Sequence, residues 1–162
     1  MKNTKIMLAT LLIAIGYADF VSAHSQAGTL GRKNSKAAAT DQYMVTCSNL
    51  NDGTGDPDHL LLHVKDLPPR NPARISIQAQ YTDPTGAVIV SQISTDLGRD
   101  GDAYFSPNVT LAGGTGPYLM TVTKTKSTVI GREIYLAEFH CQSSDATGDQ
   151  HTGTDWFMIK NQ

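Results

Sequence analysis

The residues of this 162-residue chain with most chemistry to offer are five histidines, two cysteines, two glutamates and a surplus of aspartates. Imidazole is the commonest protein ligand for copper and zinc, so the histidines come first. They are His24, His59, His63, His140 and His151. His24 follows Val21-Ser22-Ala23, which puts small residues at the two positions a signal peptidase reads. A cut after Ala23 makes His24 the first residue of the product, with an α-amine and an imidazole on one residue. Together they chelate a single ion, and one further imidazole completes a T-shaped, three-nitrogen site of the tetragonal kind that suits Cu(II). The candidates for that third nitrogen are His151 and His140. His151 lies in a Gly/Asp/Thr-rich stretch, 145–155, expected to be a loop, with Asp149 and Asp155 flanking it. His140 precedes Cys141 and is expected to face away from it. His59 and His63 are four residues apart on one strand, hence about 13 Å apart, too far to share an ion; they read as surface residues.

Aspartates outnumber glutamates thirteen to two, a bias toward turns and caps over helix interiors. In the run DGTGDPD, Asp52, Asp56 and Asp58 place oxygens at intervals a hard cation such as calcium uses, and Asp100-Gly101-Asp102 is a second acidic turn. Pro57 stands where an EF-hand loop needs glycine and no glutamate closes the loop, so Asx-turns account for the same residues. Glu133 and Glu138 fall on opposite faces of one strand and cannot act as a glycosidase pair. The chain has no G-x-S-x-G elbow, no H-E-x-x-H, no Walker loop and no dinucleotide fingerprint. These absences favour a binding protein over a conventional hydrolase, and a net charge of −2 supplies no field for nucleic acid.

The elements that must position these residues follow from patterning. Residues 1–23 read as a signal peptide: Lys2 and Lys5, then the apolar run from Ile6 to Ile15, well short of the roughly 20 residues of a bilayer span. The expectation is a periplasmic or secreted product, with no lipid-anchor cysteine near the cut and no membrane span after cleavage. In that oxidising setting Cys47 and Cys141 are expected to form a structural disulfide. Residues 24–40 are polar and small and read as a flexible N-terminal arm. From 41 to 162 the pattern has period two, the strand signature. Tyr43, Val45 and Cys47 share a face, as do Leu60, Leu62 and Val64, then Ile75, Ile77, Ala79 and Tyr81. So do Tyr118, Met120 and Val122, and Tyr135, Ala137, Phe139 and Cys141. Further strands are expected at 87–93, 103–106, 108–111 and 155–160. The fold class is therefore all-β: an antiparallel β-sandwich of seven to nine short strands with one core disulfide.

A mature N-terminal histidine on an exported all-β chain resembles the periplasmic copper carriers and the lytic polysaccharide monooxygenase-like proteins. The resemblance rests on His24, its cleavage site and the fold class. It implies a copper cofactor held by His24. The stretch from Gly116-Pro117-Tyr118 to Cys141 resembles the end of the small jelly-roll domains found after secreted bacterial peptidases, which agrees with a sandwich. The functional expectation is an exported, non-catalytic Cu(II)-binding protein. One alternative is a structural or adhesive surface subunit using sheet edges and loops for protein or glycan contacts. Another is an oxidative copper enzyme of the His-first type.

Overall fold

The computed structural model describes residues 24–69, 72–98, 100–145 and 148–162; the expected signal peptide lies outside them. The described residues form eleven strands and no helix. They are β1 (His24–Leu30), β2 (Ala39–Ser48), β3 (His59–Leu67), β4 (Ile75–Thr82), β5 (Val88–Val90) and β6 (Ser94–Thr95), followed by β7 (Val109–Ala112), β8 (Gly116–Lys124), β9 (Glu133–Asp145), β10 (Gly148–His151) and β11 (Gly153–Lys160).

Two antiparallel sheets result. One runs β1-β9-β3-β7, with β10 also on β9; the other runs β11-β2-β8-β4-β5, with β6 on β4. Gln142 of β9 pairs with His59 of β3 on one side and His151 of β10 on the other. Strand β10 therefore continues along the same edge of β9 as β1. The inward faces are those the alternation marks: Tyr43, Val45, Cys47, Leu60, Leu62, Val64, Ile75, Ile77, Tyr118, Met120, Val122, Tyr135, Ala137, Phe139 and Cys141 are all fully buried. The Cys47–Cys141 disulfide joins β2 to β9 across the core, its Cα atoms 5.5 Å apart. It closes a separation of 94 residues, worth about 4–5 kcal/mol in the chain-entropy account.

The inward phase carries charge at one end of the sandwich. Asp41, Asp66, Lys124 and Glu133 are in step with the apolar faces of β2, β3, β8 and β9 and are all buried. The Tyr135 hydroxyl donates to Asp41 Oδ2 at 2.8 Å and also meets the Tyr43 hydroxyl. The Gln162 backbone N–H donates to Asp41 Oδ1 at 2.8 Å, tying the C-terminus to the same carboxylate.

Eleven strands stand where seven to nine are expected, and three segments change. The expected arm over 24–40 contains β1, paired with β9 along its whole length, and the first residues of β2. The expected loop at 145–155 is largely strand, with β10 and β11 in it, so His151 sits on a strand. The expected strand at 103–106 is irregular backbone. Strand β1 (HSQAGTL) is polar on both faces because it lies at a sheet edge and borders little of the core, so it carries no apolar alternation.

Candidate functional site

All five histidines lie in the β1-β9-β3-β7 sheet or on the β10 strand attached to it. His59, His63, His140 and His151 project from its outer face, because each is in register with, or two residues from, an outward residue of β9.

Two of them are fully engaged. His59 has Asp58 Oδ2 at 3.0 Å from Nδ1 and Gln142 Oε1 at 3.1 Å from Nε2. His63 has Asn108 Oδ1 at 2.6 Å from Nδ1 and Glu138 Oε2 at 3.0 Å from Nε2, and its ring stacks on Phe105 with centroids 4.2 Å apart. With both ring nitrogens occupied, each holds the outer face together.

His140 and His151 differ. Their ring centroids are 4.5 Å apart, tilted by 47°. His140 is only 8% exposed, and its Nδ1 is buried with no hydrogen-bond partner. Beside His151, the Thr152 Oγ1 is also buried and unpartnered. Burial, then the neighbouring His151 and His24, push His140 down to about 4, against a smaller opposing pull from Glu138. Burial and His24 also lower His151. His140 is therefore neutral at pH 7, with a nitrogen lone pair available to a ligand.

His24 starts β1 opposite Phe139, whose ring it stacks against at 6.5 Å. On the same edge of β9 the Thr152 N–H donates to the Cys141 carbonyl at 2.9 Å. His140 is thus the β9 residue at the junction where β1 begins and β10 ends. Of the sequence candidates, His140 and His151 touch on the outer face, whereas His24, paired with the inward-facing Phe139, projects from the opposite face of the sheet, although its charge acts on both others. His24 is not yet in ligand array with them: among the described residues, the one group of three ligand-type side chains with atoms all within 4.8 Å of one another is Asp66, Asp100 and Glu133. Closing a three-nitrogen site takes a rearrangement at the start of β1 that carries His24 from the Phe139 face to the outer face.

The flanking acids stand apart. Asp149 Oδ1 accepts from Ser144 Oγ at 3.2 Å, and Asp155 is exposed on β11. The carboxylates of the acidic stretch 52–58 each have partners already. Asp52 Oδ1 accepts from the Thr54 N–H at 3.0 Å and hydroxyl at 2.6 Å, Asp56 Oδ1 from Asn49 Nδ2 at 2.8 Å, and Asp58 Oδ2 from Ser144 Oγ at 3.1 Å. Only Asp52 makes an Asx-turn; Asp56 and Asp58 meet side chains, and each carboxylate faces a different neighbour.

Sequence reasoning noted Asp100 in an acidic turn and Glu133 on a strand, but did not single out Asp66 or bring the three together. A signal for two of them exists: Asp66 and Glu133 are in phase with apolar inward residues of their own strands, so period two alone marks them as buried carboxylates. Comparison with protein-family models, with curated proteins and with solved structures finds no match for this chain.

Proposed function

We propose that this protein binds Cu(II) outside the cytoplasm, holding it with the α-amine and imidazole of His24 and a ring nitrogen of His140 or His151. One observation carries the reading. Two histidines that share no strand touch at the place where β1 begins, one of them neutral at pH 7 and with a buried, unpartnered ring nitrogen. An all-nitrogen donor set of this kind suits Cu(II). The disulfide agrees with an oxidising compartment.

Trp156, the only tryptophan, supplies a readout. Its ring meets Phe139 edge-on at 6.2 Å, and Phe139 in turn stacks on His24. Cu(II) titrated into protein beginning at His24 is expected to quench Trp156 emission. One extra residue ahead of His24, which removes the chelating amine, is expected to weaken binding at least about tenfold, or 1.4 kcal/mol. His151→Ala, a substitution at the half-buried partner, is expected to weaken it as well. Equal affinity for the two N-termini would end the proposal.

A second reading has its own observation. Both edge strands of the β11-β2-β8-β4-β5 sheet expose large apolar side chains: Val88, Ile89 and Val90 on β5, and Phe157 and Ile159 on β11. Unpaired, apolar sheet edges are templates for strand addition, as in an assembling surface subunit.

A further inference from the structure

The buried side-chain atoms that lack a hydrogen-bond partner, among the described residues, fall at two places. His140 Nδ1 and Thr152 Oγ1 are at the histidine junction; Asp66 Oδ1 and both carboxylate oxygens of Glu133 are at the other end of β9. We propose that this second place is a site for a hard divalent cation of the calcium kind, formed by Asp66, Asp100 and Glu133.

The fold brings the three acids together from separate segments. Asp66 lies near the end of β3, where its N–H donates to Asp96 Oδ2 at 2.7 Å and its carbonyl accepts from the Gly101 N–H at 3.1 Å. Gly101 has a φ of +79°, and a Cβ there would sit 2.6 Å from Pro68 Cγ. Only glycine lets the turn lie this close to the end of β3, and the turn carries Asp100 over Asp66. Asp100 keeps an interaction of its own there. Glu133 opens β9, in register with Leu30 of the neighbouring β1. One oxygen from each of the three acids lies within 4.8 Å of the other two.

Acidic groups gathered in a loop are commonplace; a glutamate with no exposed surface and neither oxygen paired is not. Burying a carboxylate without a partner is costly, and only a proton or a cation removes the cost. Among the described residues, the buried cation acting on Glu133 is Lys124, which donates to the Gly131 carbonyl at 2.7 Å and forms no ion pair with it. Burial, reinforced by Asp100, Glu133 and Asp96, lifts Asp66 to about 8. Burial lifts Glu133 to about 7, with Lys124 pulling it down and Asp100 pushing it up. The donors are all carboxylate oxygens, which select hard cations over copper or zinc. Three carboxylates brought from separate segments, each able to bind through one oxygen or two, suit the flexible coordination of calcium better than the near-ideal octahedron that magnesium demands.

The test is equilibrium dialysis of the full mature protein against CaCl2, with chelator-treated protein as the reference, alongside thermal unfolding at pH 7.5. The expected result is about one calcium per chain and a midpoint raised by at least about 3 °C at saturation. Glu133→Gln and Asp66→Asn are each expected to lose that calcium. Asp52→Asn, which removes an acid of the 52–58 turn, and His151→Ala are expected to keep it, which separates this site from both other candidates. If Glu133→Gln fails to fold, Asp100→Asn, on the half-buried turn, serves in its place and is expected to weaken binding at least tenfold. No bound calcium in the wild-type chain, or calcium that survives these carboxamide substitutions, overturns the site; so does a magnesium affinity equal to that for calcium.

Discussion

A single glycine shows how closely the edge of the sandwich is fitted. Gly28 of β1 pairs with Tyr135 of β9, and a Cβ at Gly28 would overlap the Tyr135 ring and hydroxyl. The missing side chain lets the phenol lie across β1 and reach Asp41, where it donates to a buried carboxylate. Gly28→Ala is expected to force the ring off that acceptor and to destabilise the protein by about 2–4 kcal/mol, combining overpacking with a lost hydrogen bond to a charged group. Urea unfolding beside Ala27→Ser, on the exposed face of the same strand and expected within about 0.5 kcal/mol of wild type, measures it. Equal midpoints for the two variants would show that the ring is not held there. This requirement is not legible in the sequence, because it belongs to a register between distant strands. The buried charges were legible in principle. Asp41, Asp66, Lys124 and Glu133 each fall two residues from an apolar residue of the inward phase, and the alternation that places Tyr43 or Val122 inward places them inward too. What the alternation cannot say is that Asp66 and Glu133 come to lie beside Asp100, since that depends on how the turn after β6 folds back over β3.

At the scale of elements, legibility follows burial. Strands β2, β3, β4, β8 and β9 have neighbours on both sides and core beneath them, so their inward residues alternate and read directly from the sequence. Edge elements obey weaker rules. Strand β1 has no apolar pattern, β6 is two residues long, and β10 is four residues of Gly, Asp, Gln and His. Their strand state is imposed by the partner whose backbone groups they satisfy. At the edge strand β5 the reverse holds, and apolar residues face water: Val88, Ile89 and Val90 are 58%, 43% and 49% exposed. An edge with so little charge is open to another chain. In metal-free buffer the protein is expected to grow in apparent size with concentration by light scattering, and Ile89→Lys, which places a charge on that edge, is expected to hold it monomeric. A wild-type chain of constant size over the accessible range would remove the assembly reading.

The whole molecule is a sandwich with two unlike ends joined by β9, and pH should act on them in opposite senses. His140 is held below its ordinary 6.5, at about 4, so the folded chain binds fewer protons than the unfolded one between those values. Its contribution is complete above pH 6.5 and is lost as pH falls toward 4. Asp66 and Glu133 are held above their ordinary 3.8 and 4.5, at about 8 and about 7, so the folded chain keeps protons that the unfolded chain has released. Their contribution is complete below pH 4 and is lost as pH rises through 7 and 8. The groups acting on this pair are Asp96, Asp100 and Lys124, and the two acids titrate together. Between pH 4 and 6.5 the two ends work against each other. Above 6.5 His140 falls silent and the carboxyl end acts alone. With chelator present, the free energy of unfolding is therefore expected to fall by about 1–2 kcal/mol between pH 6.5 and 8, within the limit of about 1.4 kcal/mol per proton per pH unit. The double variant Asp66→Asn/Glu133→Gln is expected to lose that decline, because carboxamides do not titrate. Calcium is expected to flatten it in the wild-type chain, because a bound cation stabilises the ionised form that rising pH produces. Urea unfolding at several pH values across the interval measures all three, and a wild-type profile that is level, or one that the double variant reproduces, would mean that these carboxyls are not what makes the end of the sandwich sensitive to pH.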